Sequence, residues 1–406
     1  MTDLREAYRA FLAFSPGLKG SHAGADVRVF FAPGRVNLIG EHIDYNGGRV
    51  FPAALTMGTW LFVRRRDDGV FRFASSSFPT TVELRGSAKD WVYRPEDDFA
   101  NYPKGVLWVM AQQGLALPGG DFYLHGNLPY GTGLSSSASV EVATAVAVCG
   151  LLRAPLSVTD IAKLTQRAEN EFVGVNCGIM DQFAVAAGQA DTAIALNCAT
   201  LDYELVPARM EGCRLVIANT NQRRGLADSK YNERRAECER ALAQVRAVRP
   251  EVRHLADIPA DHWDEFAPLI QDATLLRRAR HVVTENGRVS AAIAALRGGR
   301  LTEFGRLLNA SHESLRDDYE VTGQALDALA EAAWSAPGCL GSRMTGAGFG
   351  GCTVSLVADD QVEAFQAHVR ARYTEATGLT PSFYVTDIGP GAREVTEEVE
   401  AACPSW

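Results

Sequence analysis

The sequence predicts an α/β (α+β) protein of two domains, and three observations carry that prediction. Its 406 residues exceed what a single hydrophobic core ordinarily organises. Runs with strand alternation and runs with helical spacing follow one another along the whole chain. Two glycine-rich loops, at residues 131–139 and 342–351, lie in opposite halves, each leading into an apolar run. The boundary is expected near residues 205–212, around Pro207, giving domains of 1–209 and 210–406.

The first half is read element by element. Residues 2–14 carry Leu4, Tyr8, Phe11 and Leu12 at helical spacing. Residues 27–32 alternate and read as a strand; 59–66, 70–74 and 81–84 read as three more. Ser75 to Ser77 is a turn. A helix is expected from Val106 to Gln113, and the apolar Phe122-Tyr123-Leu124 precedes a Pro129-Tyr130 turn. Residues 140–148 form an apolar run read as a buried helix. Ser157 to Asp160 is a capping box opening a helix over Ile161–Val173. A short apolar helix closed by Gly188 carries Asp181 in its first turn, where the helix dipole favours a carboxylate.

In the second half, 215–218 reads as a strand and 229–248 as a charge-laced helix with Tyr231 near its start. Helices dominate to residue 334. The loop at 342–351 then runs into a strand at 352–357, followed by a helix at 361–374 and a strand at 382–386.

Composition narrows the function. A net charge of −9 argues against a non-specific nucleic-acid binder, which needs a basic surface. Arg64-Arg65-Arg66 is answered at once by Asp67-Asp68. The longest apolar run, near 142–152, is too short to span a bilayer. None of the eight cysteines forms a C-x-x-C pair, so neither a disulfide framework nor a structural zinc site is expected. These features fit a cytoplasmic protein with no membrane and no nucleic-acid partner.

Two stretches are dense in chemistry. Residues 33–48 place Arg35, Glu41, His42 and Asp44 among glycines, a composition that suits a ligand loop better than a solvated surface. Gly131-Thr132-Gly133-Leu134-Ser135-Ser136-Ser137 opens a helix. Its backbone amides and the helix dipole suit an anion, and its hydroxyls suit that anion's metal. No Gly-Lys-Ser/Thr ends it, so it is no Walker A loop. A serine-capped core helix explains the same residues equally well at this point. Glu169 sits beside an apolar helix face, an awkward place for a carboxylate with nothing to bind.

Three separated runs, 33–48, 131–139 and 343–351, resemble the motifs of the GHMP small-molecule kinases. Gly34-Arg35-Val36-Asn37-Leu38-Ile39-Gly40-Glu41-His42, with Asp44-Tyr45, resembles the signature of that family's galactokinase branch. The similarity extends through Cys177–Phe183, Ala279–Val283, Ser314–Glu320 and Arg343–Cys352. Ile43 stands where the family usually has threonine, and Thr132 where it usually has alanine.

The resemblance implies a ribosomal-protein-like N-terminal domain, a ferredoxin-like C-terminal domain and an active site in the cleft between them. It implies phosphorylation of galactose by ATP with Mg2+. Residues 131–137 would wrap the ATP phosphates. Ser137 and Glu169 would hold magnesium. Glu41, His42, Asp44, Gly178 and Tyr231 would contact the sugar, and Asp181 with Arg35 would be catalytic. A monomer is expected, with a dimer as the alternative. An N-acetylgalactosamine kinase or a non-catalytic galactose sensor are the competing readings.

Overall fold

A computed structural model describes residues 2–15, 27–128, 133–222 and 227–402. In the first half the strands are β1 (Val27–Asn37), β2 (Arg49–Val50), β3 (Pro52–Arg65), β4 (Val70–Ser75), β5 (Val82–Arg85), β6 (Gly120–Gly126), β7 (Thr192–Asn197) and β8 (Tyr203–Pro207). The helices there are α1 (Thr2–Phe14), α2 (Asn101–Gln112), α3 (Ser136–Leu152), α4 (Val158–Arg167) and α5 (Met180–Ala187). The second half adds strands β9 (Cys213–Asn219), β10 (Cys339–Thr345), β11 (Cys352–Ala358), β12 (Ser382–Thr386) and β13 (Arg393–Glu394). Its helices are α6 (Ala227–Arg246), α7 (Trp263–Phe266), α8 (Ala273–Arg297), α9 (Leu301–Ser314), α10 (Gln324–Trp334), α11 (Val362–Thr377) and α12 (Thr396–Ala402).

A six-stranded sheet, ordered β13-β1-β3-β6-β4-β5, is covered on both faces. Strand alternation explains how. Phe30 and Ala32 of β1 face α2 and α3, while Val27, Val29 and Phe31 face α1 and α12. A four-stranded antiparallel sheet, β10-β11-β9-β12, does the same in the second half. Val216 and Ala218 face α10 and α11, and Leu215 and Ile217 enter the largest core cluster. That cluster also holds Val36, Ile39, Phe183 and Leu196, so residues on both sides of Pro207 share it. A three-stranded sheet, β2-β7-β8, completes the strands. Among the described residues, no helix is long and apolar enough to cross a membrane.

Several expectations change. Residues 33–37 belong to β1 rather than to a turn-rich loop, and Ser342–Thr345 belong to β10. The helix expected over 161–173 starts at Val158 and turns π-helical over Ala168–Val173. β7 and β8 were not anticipated.

Candidate active site

The site begins at an irregularity in β1. The β1–β3 register shifts between Pro33 and Arg35. A Cβ at Gly34 would lie 2.8 Å from the Leu134 carbonyl oxygen, so the bare glycine lets the second loop approach. The Arg35 amide then donates to that carbonyl at 3.2 Å. Two distant motifs are thereby joined through main chain.

The Arg35 side chain is buried and turns toward α5. Its Nε donates to Asp181 Oδ1 at 2.8 Å, and Nη2 lies 2.7 Å from the same oxygen. Its Nη1 donates to the Gly133 carbonyl at 2.6 Å. Asp181 sits in the first turn of α5, as expected. Its other oxygen, Oδ2, accepts from Ser135 Oγ at 2.6 Å. Ser135 precedes α3 in a left-handed conformation, φ 61°, and its hydroxyl makes no cap bond. The serine-capped reading therefore fails: this hydroxyl serves Asp181. Gly133 also has positive φ, at 77°. Gly131 and Thr132 lie outside the described residues.

The first turn of α3 opens on a cleft of about 470 Å³ lined by Arg35, Ser135, Ser136, Ser137, Glu169 and Asp181 on one side. Leu134 points instead into the core and can meet a ligand only through its backbone. Glu169 is buried on the π-helical turn and takes a hydrogen bond from the Ser137 hydroxyl. Gln182 Nε2 donates to Glu169 Oε2 at 2.6 Å. Burial, then the neighbouring Asp181, raises the Glu169 carboxyl above its usual range. Glu141 lies behind it, pushed well above the ordinary range by burial, with Oε1 lacking a hydrogen-bond partner. Among the described residues no three or more His, Cys, Asp or Glu side chains form a metal cage. One hydroxyl and one carboxylate nonetheless fit magnesium, which takes hard oxygens and keeps several waters.

The same cleft is also lined by Glu41, His42, Asp44, Gly178 and Tyr231. A Cβ at Gly178 would overlap Asp44 Oδ2, so glycine is required beside that carboxyl. Asp44 looks into the cleft but is enclosed by its walls. Burial, then the charge of Asp181, pushes it up to about 7. His42, held at φ 62°, packs its ring 5.6 Å from that of Tyr231. Burial, then His281, holds it down at about 3, so the ring is neutral.

Glu41 lines the cleft and also binds other parts of the protein. Its carboxylate takes Arg343 Nη2 at 2.9 Å, Asn37 Nδ2 and the Gly346 amide. It ties the 346–351 loop to the first motif. Ile43 is fully buried in the core and does not line the cleft. Ser75 to Ser77 and Trp108 also stand outside the cleft lining. Sequence reasoning missed Asn37, Gln182 and Arg343. Arg343 had a signal: an arginine in an otherwise small and apolar run.

The galactokinase galactose-binding signature matches residues 20–65, the GHMP kinases N terminal domain 101–189, and the GHMP kinases C terminal domain 292–375. A galactokinase of Halalkalibacterium halodurans is 52% identical over 369 residues, covering 91% of this chain and 93% of the relative. The chain belongs to the galactokinase family of GHMP kinases. A Bacillus subtilis galactokinase is 50% identical over 373 residues, 92% of this chain and 95% of that one. The structure of Lactococcus lactis galactokinase complexed with galactose superposes with TM-score 0.91 at 43% identity, covering 96% and 99% of the two chains. A Methanococcus jannaschii mevalonate kinase, at TM-score 0.66 and 18% identity, covers 91% and 99% and shares the fold alone. The fold is thus that of the GHMP kinases, and the family is one of ATP-dependent sugar kinases.

Proposed function

We propose that this chain transfers the γ-phosphoryl group of ATP to the anomeric hydroxyl of α-D-galactose, giving galactose 1-phosphate and ADP. The observation that carries the reading is the Arg35–Asp181–Ser135 triad, set between the mouth of α3 and the Asp44–Gly178–Tyr231 wall. Residues 131–137 cradle the phosphates through backbone amides and the α3 dipole, Leu134 by main chain alone. The sugar lies against His42, Asp44, Gly178 and Tyr231, with Glu41 shaping that wall through its hold on Arg343 and Gly346.

Asp181 accepts the proton of the anomeric hydroxyl as its oxygen attacks the γ-phosphorus. Arg35 fixes one carboxylate oxygen and Ser135 the other, so the base is oriented before the substrate arrives. The bond to the β-γ bridging oxygen breaks, and ADP leaves with that electron pair. Ser137 and Glu169 would hold Mg2+, which supplies charge neutralisation at the phosphates.

The division at 209/210 is proposed as the boundary between two units, with residues 393–394 returning to pair with β1. A cytoplasmic monomer is the proposed state. The test is steady-state ADP release over galactose, glucose and N-acetylgalactosamine. Galactose is expected to give the highest specificity constant. Preference for N-acetylgalactosamine would reassign the substrate, and no turnover with galactose bound would make the chain a sensor.

A further inference from the structure

Behind the sugar wall runs a row of hydrogen-bonded groups that no step above uses. Cys238 Sγ lies 3.1 Å from Tyr319 Oη. Tyr319 Oη lies 2.8 Å from Tyr45 Oη, and Tyr45 Oη lies 2.8 Å from His42 Nδ1. Cys238 comes from α6, Tyr319 from the π-helical turn Leu315–Tyr319, and Tyr45 from the 3-10 turn Asp44–Asn46. Tyr319 and Cys238 are buried. Arg234 Nε anchors the Tyr319 carbonyl at 2.8 Å, and Asn46 Nδ2 anchors the His42 carbonyl at 3.0 Å.

The row has a direction. A thiol sulfur is a weak acceptor, and the Asn46 side chain already bonds it. The imidazole nitrogen at the other end is the strongest acceptor of the four groups. Cys238 therefore donates to Tyr319, Tyr319 to Tyr45, and Tyr45 to His42 Nδ1. A neutral ring carries one proton, which this arrangement leaves on Nε2. Nε2 is buried, and the acceptor beside it is the Ala347 backbone carbonyl at the edge of the cleft, short of full hydrogen-bond geometry.

We infer that Tyr45 and Tyr319 are positioning residues for sugar recognition, which lock His42 in its Nε2–H form as a hydrogen-bond donor to a sugar oxygen. The inference rests on the reading of His42 as a sugar contact. It gives the wall one fixed donor, His42, beside one acceptor, Asp44. A sugar oxygen at His42 then needs a lone pair and no proton of its own.

The test is 15N NMR of the full chain with labelled histidine, paired with kinetics. In the unmodified protein, the His42 ring should show a protonated Nε2 and a bare Nδ1. Tyr45→Phe keeps the ring but removes the hydroxyl. It should mix the two tautomers and raise the galactose KM roughly tenfold, with kcat and the ATP KM within about twofold. Tyr319→Phe should act in the same direction more weakly, and the double variant should be no worse than Tyr45→Phe. Cys238→Ser keeps a donor and should behave as wild type. A proton on Nδ1 in the unmodified protein would overturn the inference. So would Tyr45→Phe with unchanged tautomer and galactose KM. A raised galactose KM in His42→Ala with a normal one in Tyr45→Phe would overturn the inference alone. An unchanged KM in His42→Ala would remove the sugar contact itself, and the inference with it.

Discussion

Asp181 and Asp44 line the same cleft, and their neighbours differ in kind. Asp181 has a guanidinium on one oxygen and a serine hydroxyl on the other. Asp44 faces no cation at hydrogen-bond distance among the described residues. Burial and the nearby Asp181 push its carboxyl up to about 7. One carboxylate is held in place before substrate arrives; the other awaits groups that only a ligand supplies. The same side chain thus takes two tasks, set by environment: one acts on the reacting hydroxyl, the other receives the sugar. Glu41 shows a third outcome, with its charge absorbed by Arg343 and a backbone amide.

The largest expected effect breaks the first half of this contrast. Asp181→Asn should lower turnover by roughly 10²–10⁴-fold with calorimetric galactose affinity retained. Arg35→Ala should also lower turnover, since the carboxylate loses its orienting partner. The double variant should be little worse than the worse single one, because residues acting as a unit give non-additive losses. Fully multiplicative losses would separate the two roles.

Asp44→Asn probes the other half. Its galactose KM should rise by roughly 10- to 100-fold, the cost of a lost charged hydrogen bond in a buried site. Binding hydroxyls favours the ionised carboxylate, so wild-type galactose affinity should fall as pH drops through about 7. The Asp44→Asn profile should be flat there. A wild-type profile that is flat between pH 6 and 8 would contradict this assignment.

The metal corner sharpens the contrast from a third side. Glu169→Gln and Ser137→Ala should raise the magnesium concentration needed for half-maximal rate by about tenfold, with galactose affinity unchanged. A Glu169 role confined to packing predicts a lower Tm and a normal magnesium titration.

The smallest effect is on stability. A folded-state pKa raised above the unfolded value means that the native protein binds the proton more tightly. Stability from Asp44 is therefore greatest at low pH and declines as pH rises from about 4 to about 7. Without substrate, Asp44→Asn should melt above wild type at pH 8 and lose most of that advantage by pH 4. An equal Tm difference at both pH values would remove Asp44 as the cause.

Much of this arrangement was legible in the sequence, and the rest was hidden for physical reasons. Asp181 at a helix start, Glu169 on an apolar face and the glycine-serine loop all announced themselves by local chemistry. Amphipathic or wholly apolar runs gave α1, α3 and the central strands. Arg35 on a strand was obscured because Pro33-Gly34 imitates a turn, while the β1–β3 pairing that overrides it comes from distant residues. The role of Glu41 was obscured similarly, since Arg343 approaches from 302 positions away. Tyr45, Tyr319 and Cys238 meet only through the tertiary fold, and no local pattern links them.

The most direct measurement compares Asp181→Asn with Asp44→Asn in single turnover, at saturating galactose, ATP and magnesium. The division of tasks predicts that phosphoryl transfer slows by at least about 10²-fold in Asp181→Asn and stays within a few-fold of wild type in Asp44→Asn. Near-normal transfer in Asp181→Asn would contradict it, as would an equal collapse in both variants.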